Sequence, residues 1–188
     1  GDNYKYMAVA NKASNNVSIL INNSNGTFQN AVNYATGQSP VSVVAIDLDG
    51  DNDQDLAVTN FADDNVAILL NNGNGIFQPV VTYGTADGPG WIYSTDLDGD
   101  NDNDLAVSNR WSNNVSILLN NGNATFQTAV NYLADDQPVS VSADDLDNDG
   151  DLDLFVSNYV DFEKAPTREC YANSSARDFC GPDAYNPV

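Results

Sequence analysis

The chain has 188 residues, 41% of them hydrophobic, and six Lys and Arg against 27 Asp and Glu, for a formal charge of −21. That apolar share is enough to bury a core and excludes a disordered chain, while the charge excludes nucleic acid and anionic membranes, whose phosphates such a field repels. The partner expected of so acidic a chain is a cation.

In chain order, "GDNYKYMAVAN" at the start is an incomplete form of "GDNDQDLAVTN" at 50–60 and "GDNDNDLAVSN" at 99–109, each of which follows "DLD". Asp2, Asp51, Asp100 and Asp149 stand 49 positions apart, as do Phe28, Phe77 and Phe126, then Tyr34, Tyr83 and Tyr132, then Pro40, Pro89 and Pro138. A period of this length, built of short apolar runs and Gly/Asn turns, predicts an all-β chain of four-stranded propeller blades. The middle copy reads as strands "DLAVTN", "NVAILLNN" from Asn65, "IFQPVVTYG" from Ile76 and "WIYSTDLD" from Trp91, separated by turns such as "NNGNG". Residues 1–35 then hold the second, third and fourth strands of a first blade. "VSVSADDLD" and "DLFVSNY" give the first and second strands of a last one, so that two whole blades lie between two partial ones. The recurring Phe and Tyr are expected to pack blade against blade.

The acidic loops carry the chemistry. Asp47, Asp49, Asp51, Asp53 and Asp55 alternate along the first, Asp96, Asp98, Asp100, Asp102 and Asp104 along the second, and Asp145, Asp147, Asp149, Asp151 and Asp153 along the third. Nearly all the acidity of the chain is Asp; the two Glu are Glu163 and Glu169. Carboxylates this crowded repel one another unless a cation sits among them, and hard oxygen donors in a tight loop suit Ca2+ better than the smaller, strictly octahedral Mg2+. With no His and two Cys, zinc and copper lack ligands. By the register of an EF-hand loop, Asp47, Asp49, Asp51 and Asp55 bind through side chains and Asp53 through its carbonyl, with the same roles repeated in the other two loops. Position six must turn sharply; Gly150 supplies it in the third loop and Asn52 and Asn101 in the others. In the first, partial copy Tyr4 and Tyr6 replace the last two liganding positions, so about three sites are expected, with affinities of roughly 0.1 to 1 mM.

"NNVSILLNNGNATFQ" followed by the Asp-rich "DLDGDND" and "DLAVSN" resembles the FG-GAP and VCBS repeats of integrin α-subunit heads and secreted bacterial proteins, across nearly all of 1–160. The resemblance implies extracellular or cell-surface, calcium-stabilised interaction surfaces. "DLFVSNYVDF" with a later "FCGP" also resembles the junction in bacterial ASPIC/UnbV-type proteins, where a Cys-containing insert follows such a propeller.

Residues 161–188 form an irregular tail carrying Lys164, Arg168, Arg177 and both cysteines. In an exported protein Cys170 and Cys180 are expected to form a disulfide worth roughly 2 to 3 kcal/mol. The chain has no run of about 18 apolar residues to insert into a membrane. Lacking an initiator Met, it reads as a mature or excised segment. Its incomplete end blades suggest a piece of a longer protein (an enzyme, receptor or carbohydrate-binding module), subunits that share blades in a homo-oligomer, tube or filament, or an arc capped by the tail. Trp91 and Trp111 could form a platform for polysaccharide, although an ordinary, partly buried packing role is the simpler expectation. Without His there is no Ser-His-Asp or Cys-His pair, and the clustered Asp are already explained by calcium. The expected protein is therefore a non-enzymatic, secreted calcium-binding repeat with a structural or adhesive role.

Overall fold

A computed structural model describes residues 6–158 except Asn74. Thirteen antiparallel strands run in meander order, and among the described residues there is no helix. Strands β1 (Tyr6–Asn11), β2 (Asn16–Ile21) and β3 (Val32–Ala35) form a first, three-stranded sheet. A second sheet contains β4 (Pro40–Ile46), β5 (Asp55–Asn60), β6 (Asn65–Leu69) and β7 (Val81–Gly84). A third contains β8 (Pro89–Thr95), β9 (Asp104–Asn109), β10 (Asn114–Leu118) and β11 (Val130–Leu133). The last is the pair β12 (Pro138–Asp144) and β13 (Asp153–Asn158). The described sheets thus hold three, four, four and two strands and do not close a ring.

Alternation along β5 shows how the sheets are stacked. Leu56 and Val58 point to one face and pack with Val17 and Ile19 of the first sheet, while Ala57 points to the other and packs with Leu105 and Val107 of the third. Successive side chains of a strand leave on opposite faces, so a sheet covered on both sides needs apolar residues throughout. β5 and β9 are accordingly buried from end to end, whereas β13 leaves Leu154 and Phe155 exposed.

The recurring aromatics join the sheets. Phe77, in the turn before β7, meets Tyr34 of the first sheet edge to face, with ring centroids 5.2 Å apart, and the Tyr34 hydroxyl donates to the Gly75 carbonyl at 3.2 Å. Phe126 meets Tyr83 at the same 5.2 Å, and the Tyr83 hydroxyl donates to the Ala124 carbonyl. Packing of this kind adds about 0.5 to 1.5 kcal/mol beyond area burial. Among the described residues no aromatic ring meets Phe28 or Tyr132 at the two ends of the series: Phe28 is 38% exposed and Tyr132 57% exposed, against 9% and 7% for Phe77 and Phe126. A groove of about 300 Å³ under Tyr132, lined by Leu97, Ile117, Leu119 and Leu154, is the counterpart of the space that Phe126 fills among Leu48, Ile68, Leu70 and Leu105.

Two strand boundaries differ from expectation. The "IFQPVVTYG" run is not one strand: Phe77 forms an isolated bridge with Asn71, and regular pairing resumes only at Val81. The interruption recurs at Phe28 and Phe126, where no Pro follows, so Pro79 is not its cause. The first strands begin earlier than Trp91 suggests, at Pro40, Pro89 and Pro138, and each carries a register shift just after the Pro. The predicted tail of 161–188, with the Cys170–Cys180 disulfide, lies outside the described residues.

Candidate metal centre

Each acidic loop joins a first strand to a second strand, and its ends are therefore fixed by pairing. Ile46 stands opposite Asp55 and Thr95 opposite Asp104. Between them the backbone must reverse within eight residues, and it does so with two left-handed residues, at positions four and six of each loop. These are Gly50 and Asn52 (φ 79° and 69°), Gly99 and Asn101 (81° and 72°), and Asn148 and Gly150 (62° and 98°). Gly and Asn are the residues that tolerate this region. The turn expected at position six is present in all three loops; the one at position four was not foreseen, although the exchange of Gly and Asn between the two positions marks it.

This winding turns carboxylates inward. Oxygens of Asp47, Asp49 and Asp55 lie within 4.8 Å of one another, and so do those of Asp96, Asp98 and Asp104 and of Asp145, Asp147 and Asp153. Such a cluster could hold a metal ion. Of the four side chains expected in each loop, the structure thus gathers three. Asp51, Asp100 and Asp149 stand outside the converging set, and each accepts the N–H of the residue two places on, Asp53, Asp102 or Asp151. The Asp53 and Asp102 side chains lie against Gly73 and Gly122 of the following turns, where a Cβ would come within 2.5 Å of the carboxylate.

The hydrogen bonds are those of a preformed anionic cage. Asp47 accepts from the Gly50 and Asn52 N–H groups at 2.8 and 2.9 Å. Asp55 is buried and accepts from Leu48 N–H at 3.0 Å and Asn71 N–H at 2.8 Å. Burial nevertheless outweighs these bonds, and with the charges of Asp49 and Asp51 it pushes the Asp55 carboxyl up to about 6. Asp104, held the same way by Leu97 and Asn120, is shifted upward for the same reason, and Asp49 is raised by desolvation and the neighbouring Asp51 and Asp47 charges. Such groups lack positive charge nearby, which a divalent cation would supply. In the third loop Asp145 Oδ1 is buried and accepts no hydrogen bond, an orphaned acceptor that a cation would satisfy. The donor set, carboxylate oxygen alone, fits a hard cation.

Asn71 and Asn120 were missed from sequence. Both are buried, both donate a backbone N–H to the last Asp of the loop, and their side chains tie the following turn down: Asn71 Oδ1 accepts from Gly73 and Gly75. Their signal was the same 49-residue recurrence, from Asn22 onward, hidden by the abundance of Asn.

The model of the FG-GAP-like repeat matches three times, over residues 1–58, 47–107 and 96–156. The chain belongs to the FG-GAP-like repeat family. Each match of the FG-GAP-like repeat overlaps the next at an acidic loop, so the loop is shared by consecutive copies. Among solved structures, an Agrocybe aegerita lectin described as recognising non-reducing terminal N-acetylglucosamine is similar, with a TM-score of 0.55 and 26% identity over 76% of this chain and 40% of the lectin chain. The Photorhabdus luminescens Tc holotoxin pore is also similar, at a TM-score of 0.49 and 18% identity, over 80% of this chain and 8% of that one. The FG-GAP-like repeats described here thus span less than half of either chain. No curated protein matches the chain.

Proposed function

We propose that these FG-GAP-like repeats are a calcium-stabilised, non-enzymatic module of an extracellular protein, acting in structure or adhesion. The observation that carries this is the threefold convergence of Asp oxygens in loops of one geometry. In each loop the converging side chains of positions one, three and nine supply calcium ligands, Asp47, Asp49 and Asp55 in the first, and the position-five side chain and position-seven carbonyl, of Asp51 and Asp53, complete the set once Asp51 gives up its hydrogen bond to the Asp53 N–H. Membership of a repeat family typical of extracellular proteins supports the location. Titration calorimetry with Ca2+ tests the assignment: about three sites of submillimolar to millimolar affinity support it, and no heat above that of Mg2+ overturns it.

The adhesive role is self-association through the end sheets. Among the described residues no Phe turn fills the groove beneath Tyr132 as it does at both internal joints, and no Tyr meets Phe28 at the other end. Light scattering in millimolar calcium and then in EDTA decides it. Defined oligomers or filaments that dissociate without calcium support self-association, and monomers in both conditions favour blades of a longer chain.

A second reading has its own support: the likeness to a lectin, with Trp91 and Trp111 exposed, favours a carbohydrate-binding part of a larger protein.

A further inference from the structure

The repeat breaks its own pattern at the start of β8. Gly90 and Trp91 stand where the other copies have Val41 and Ser42, or Val139 and Ser140. Beside them, Lys12, Phe61 and Arg110 occupy equivalent positions, each one residue past the Asn that ends β1, β5 or β9, and Trp111 stands where other copies have Ala13 and Ala62. Scaffold positions in this chain hold their residue from copy to copy, so side chains this different answer to something other than the blade.

They also converge. Lys12, Ser42, Phe61, Gly90, Trp91 and Arg110 line one groove of about 280 Å³, at the opposite end of the strands from the acidic loops. Its aromatic wall is braced from behind: Phe61 meets Trp111 edge to face at 4.6 Å, and Lys12 Nζ sits 5.3 Å from the centre of the Phe61 ring. A concave site with aromatic walls and few polar groups is the usual form of a ligand pocket.

The backbone opens the groove and presents the indoles. A Cβ at Gly90 would meet the Ser108 hydroxyl at 3.5 Å, an ordinary contact, so packing does not demand glycine there; what its absent side chain leaves is depth. In β8 the register shift runs from Pro89 to Ile92, one residue longer than in β4 or β12, and Trp91 falls within it. The bulge is pinned by Trp91 N–H donating to Ser108 Oγ and by Thr59 Oγ donating to the Gly90 carbonyl at 2.7 Å. Bulges re-aim side chains in this way. Gly88 has φ 72°, and a Cβ there would lie 3.1 Å from the Trp111 ring, so Gly in place of the Ser39 and Gln137 of the other copies makes room for Trp111. Against the expectation of a partly buried packing role, Trp91 is 51% exposed and Trp111 61% exposed.

Charge narrows what fits. Arg110 Nε and Nη2 both donate to Gln137 Oε1, at 3.4 and 3.2 Å, which makes the guanidinium part of the wall. The chain's charge of −21 repels an anion, and Lys12 and Arg110 at the groove repel a cation. A neutral ligand is left. One face of it must be apolar to lie on an indole, and its rim must be polar to meet the Ser42 hydroxyl and the Lys12 ammonium. A pyranose with equatorial substituents has this form, with C–H groups on its faces and hydroxyls around its edge.

We infer that this groove binds a neutral saccharide, with one pyranose ring stacked on Trp91 and its hydroxyls met by Ser42 and Lys12. The inference rests on the second reading above, of a carbohydrate-binding part, and adds to it the site and the ligand class.

The test measures tryptophan fluorescence of the calcium-loaded protein as it is titrated with cellohexaose, with chitohexaose, or with a galacturonate oligosaccharide of equal length. At least one neutral sugar is expected to bind, with an affinity that salt leaves unchanged, and the galacturonate is not. Gly90→Val and Trp91→Ser install residues that other copies already carry; the first refills the groove and the second removes the stacking face. Each is expected to weaken binding about tenfold or more, while Trp111→Ala, which leaves Trp91 as the reporter, keeps the signal. Thermal midpoints of the variants check that each is folded, and Trp91→Phe, which restores an aromatic face, is expected to recover part of the affinity. Neutral-sugar binding untouched by Gly90→Val and Trp91→Ser overturns the groove and leaves the carbohydrate reading standing. Binding of galacturonate alone overturns the neutral assignment and also leaves that reading standing. No binding of any of the three sugars overturns both.

Discussion

The two ends of the strands were built by opposite rules. At one end lie three acidic loops whose residues repeat almost without change, and at the other lie turns and a strand start in which Lys12, Phe61, Arg110 and Trp111, and Trp91 of β8, differ from copy to copy. A loop that must wind around a charge tolerates few residues at the left-handed and liganding positions, so its repeats stay alike. A turn that only reverses direction leaves its side chains free to diverge. The difference teaches that in a repeat protein the constant positions report what holds the fold and the variable ones report where copies have taken separate roles.

The largest effect that would sharpen this contrast is calcium removal. On the proposed calcium reading, each site at a hundredfold excess over its dissociation constant would add about 2.7 kcal/mol, and three filled loops would stabilise by about 8 kcal/mol. EDTA is expected to lower the thermal midpoint accordingly; a melting curve unmoved by EDTA would break the comparison at its constant end. Next comes Phe126→Ala, which empties a buried joint and is expected to cost about 3 to 5 kcal/mol in chemical denaturation. Phe28→Ala, at the uncovered end, is expected to cost less than about 1 kcal/mol in the monomer.

A smaller effect follows from Asp55. Its carboxyl is raised from the ordinary 3.8 to about 6 in the folded, metal-free chain, so the folded state holds its proton more tightly than the unfolded one. In EDTA, stability is therefore fully supported by this group below about pH 4 and is lost as pH rises through 6. Calcium reverses the trend, because the cation needs the carboxylate ionised, and calcium affinity is expected to fall as pH drops through 6. Denaturant midpoints at pH 5 and 7.5, with and without calcium, check both signs. Smaller still, Trp111→Ala removes the edge-to-face contact with Phe61 and is expected to cost about 0.5 to 1.5 kcal/mol, and smallest of all, Trp91→Ser is expected to change stability by less than about 0.5 kcal/mol, since its side chain is exposed. A large loss from either would mean that the variable end is part of the scaffold after all.

Strand order, sheet division and the three loops were legible in the sequence because each is local and repeated: a two-residue alternation, a fixed interval, a run of Asp. The partners of Tyr34 and Phe77 were legible as packing residues but not as a pair, since they stand in different copies and meet only when sheets stack. The groove was not legible. Lys12, Phe61, Trp91 and Arg110 are spread over nearly a hundred residues in runs that look like ordinary turns, and their convergence is a product of the stacking of β4, β8 and β12. Trp91 and Trp111 drew notice as aromatic residues, but a sequence does not say that a bulge and a glycine turn them outward.

One hydrogen bond has consequences for how the loops fill. Asn103, at position eight of the second loop, donates its side-chain amide to the Asp47 carbonyl of the first loop at 2.9 Å, and the same position in the third loop is Leu152, which has no donor to offer Asp96. Ions entering the first two loops are thereby expected to feel each other, with a Hill coefficient above one for that pair, while the third titrates on its own. Asn120, whose N–H donates to Asp104 and whose side chain donates to the Leu48 carbonyl of the first loop, is a second link, so replacing Asn103 by Leu is expected to lower that Hill coefficient rather than abolish the coupling.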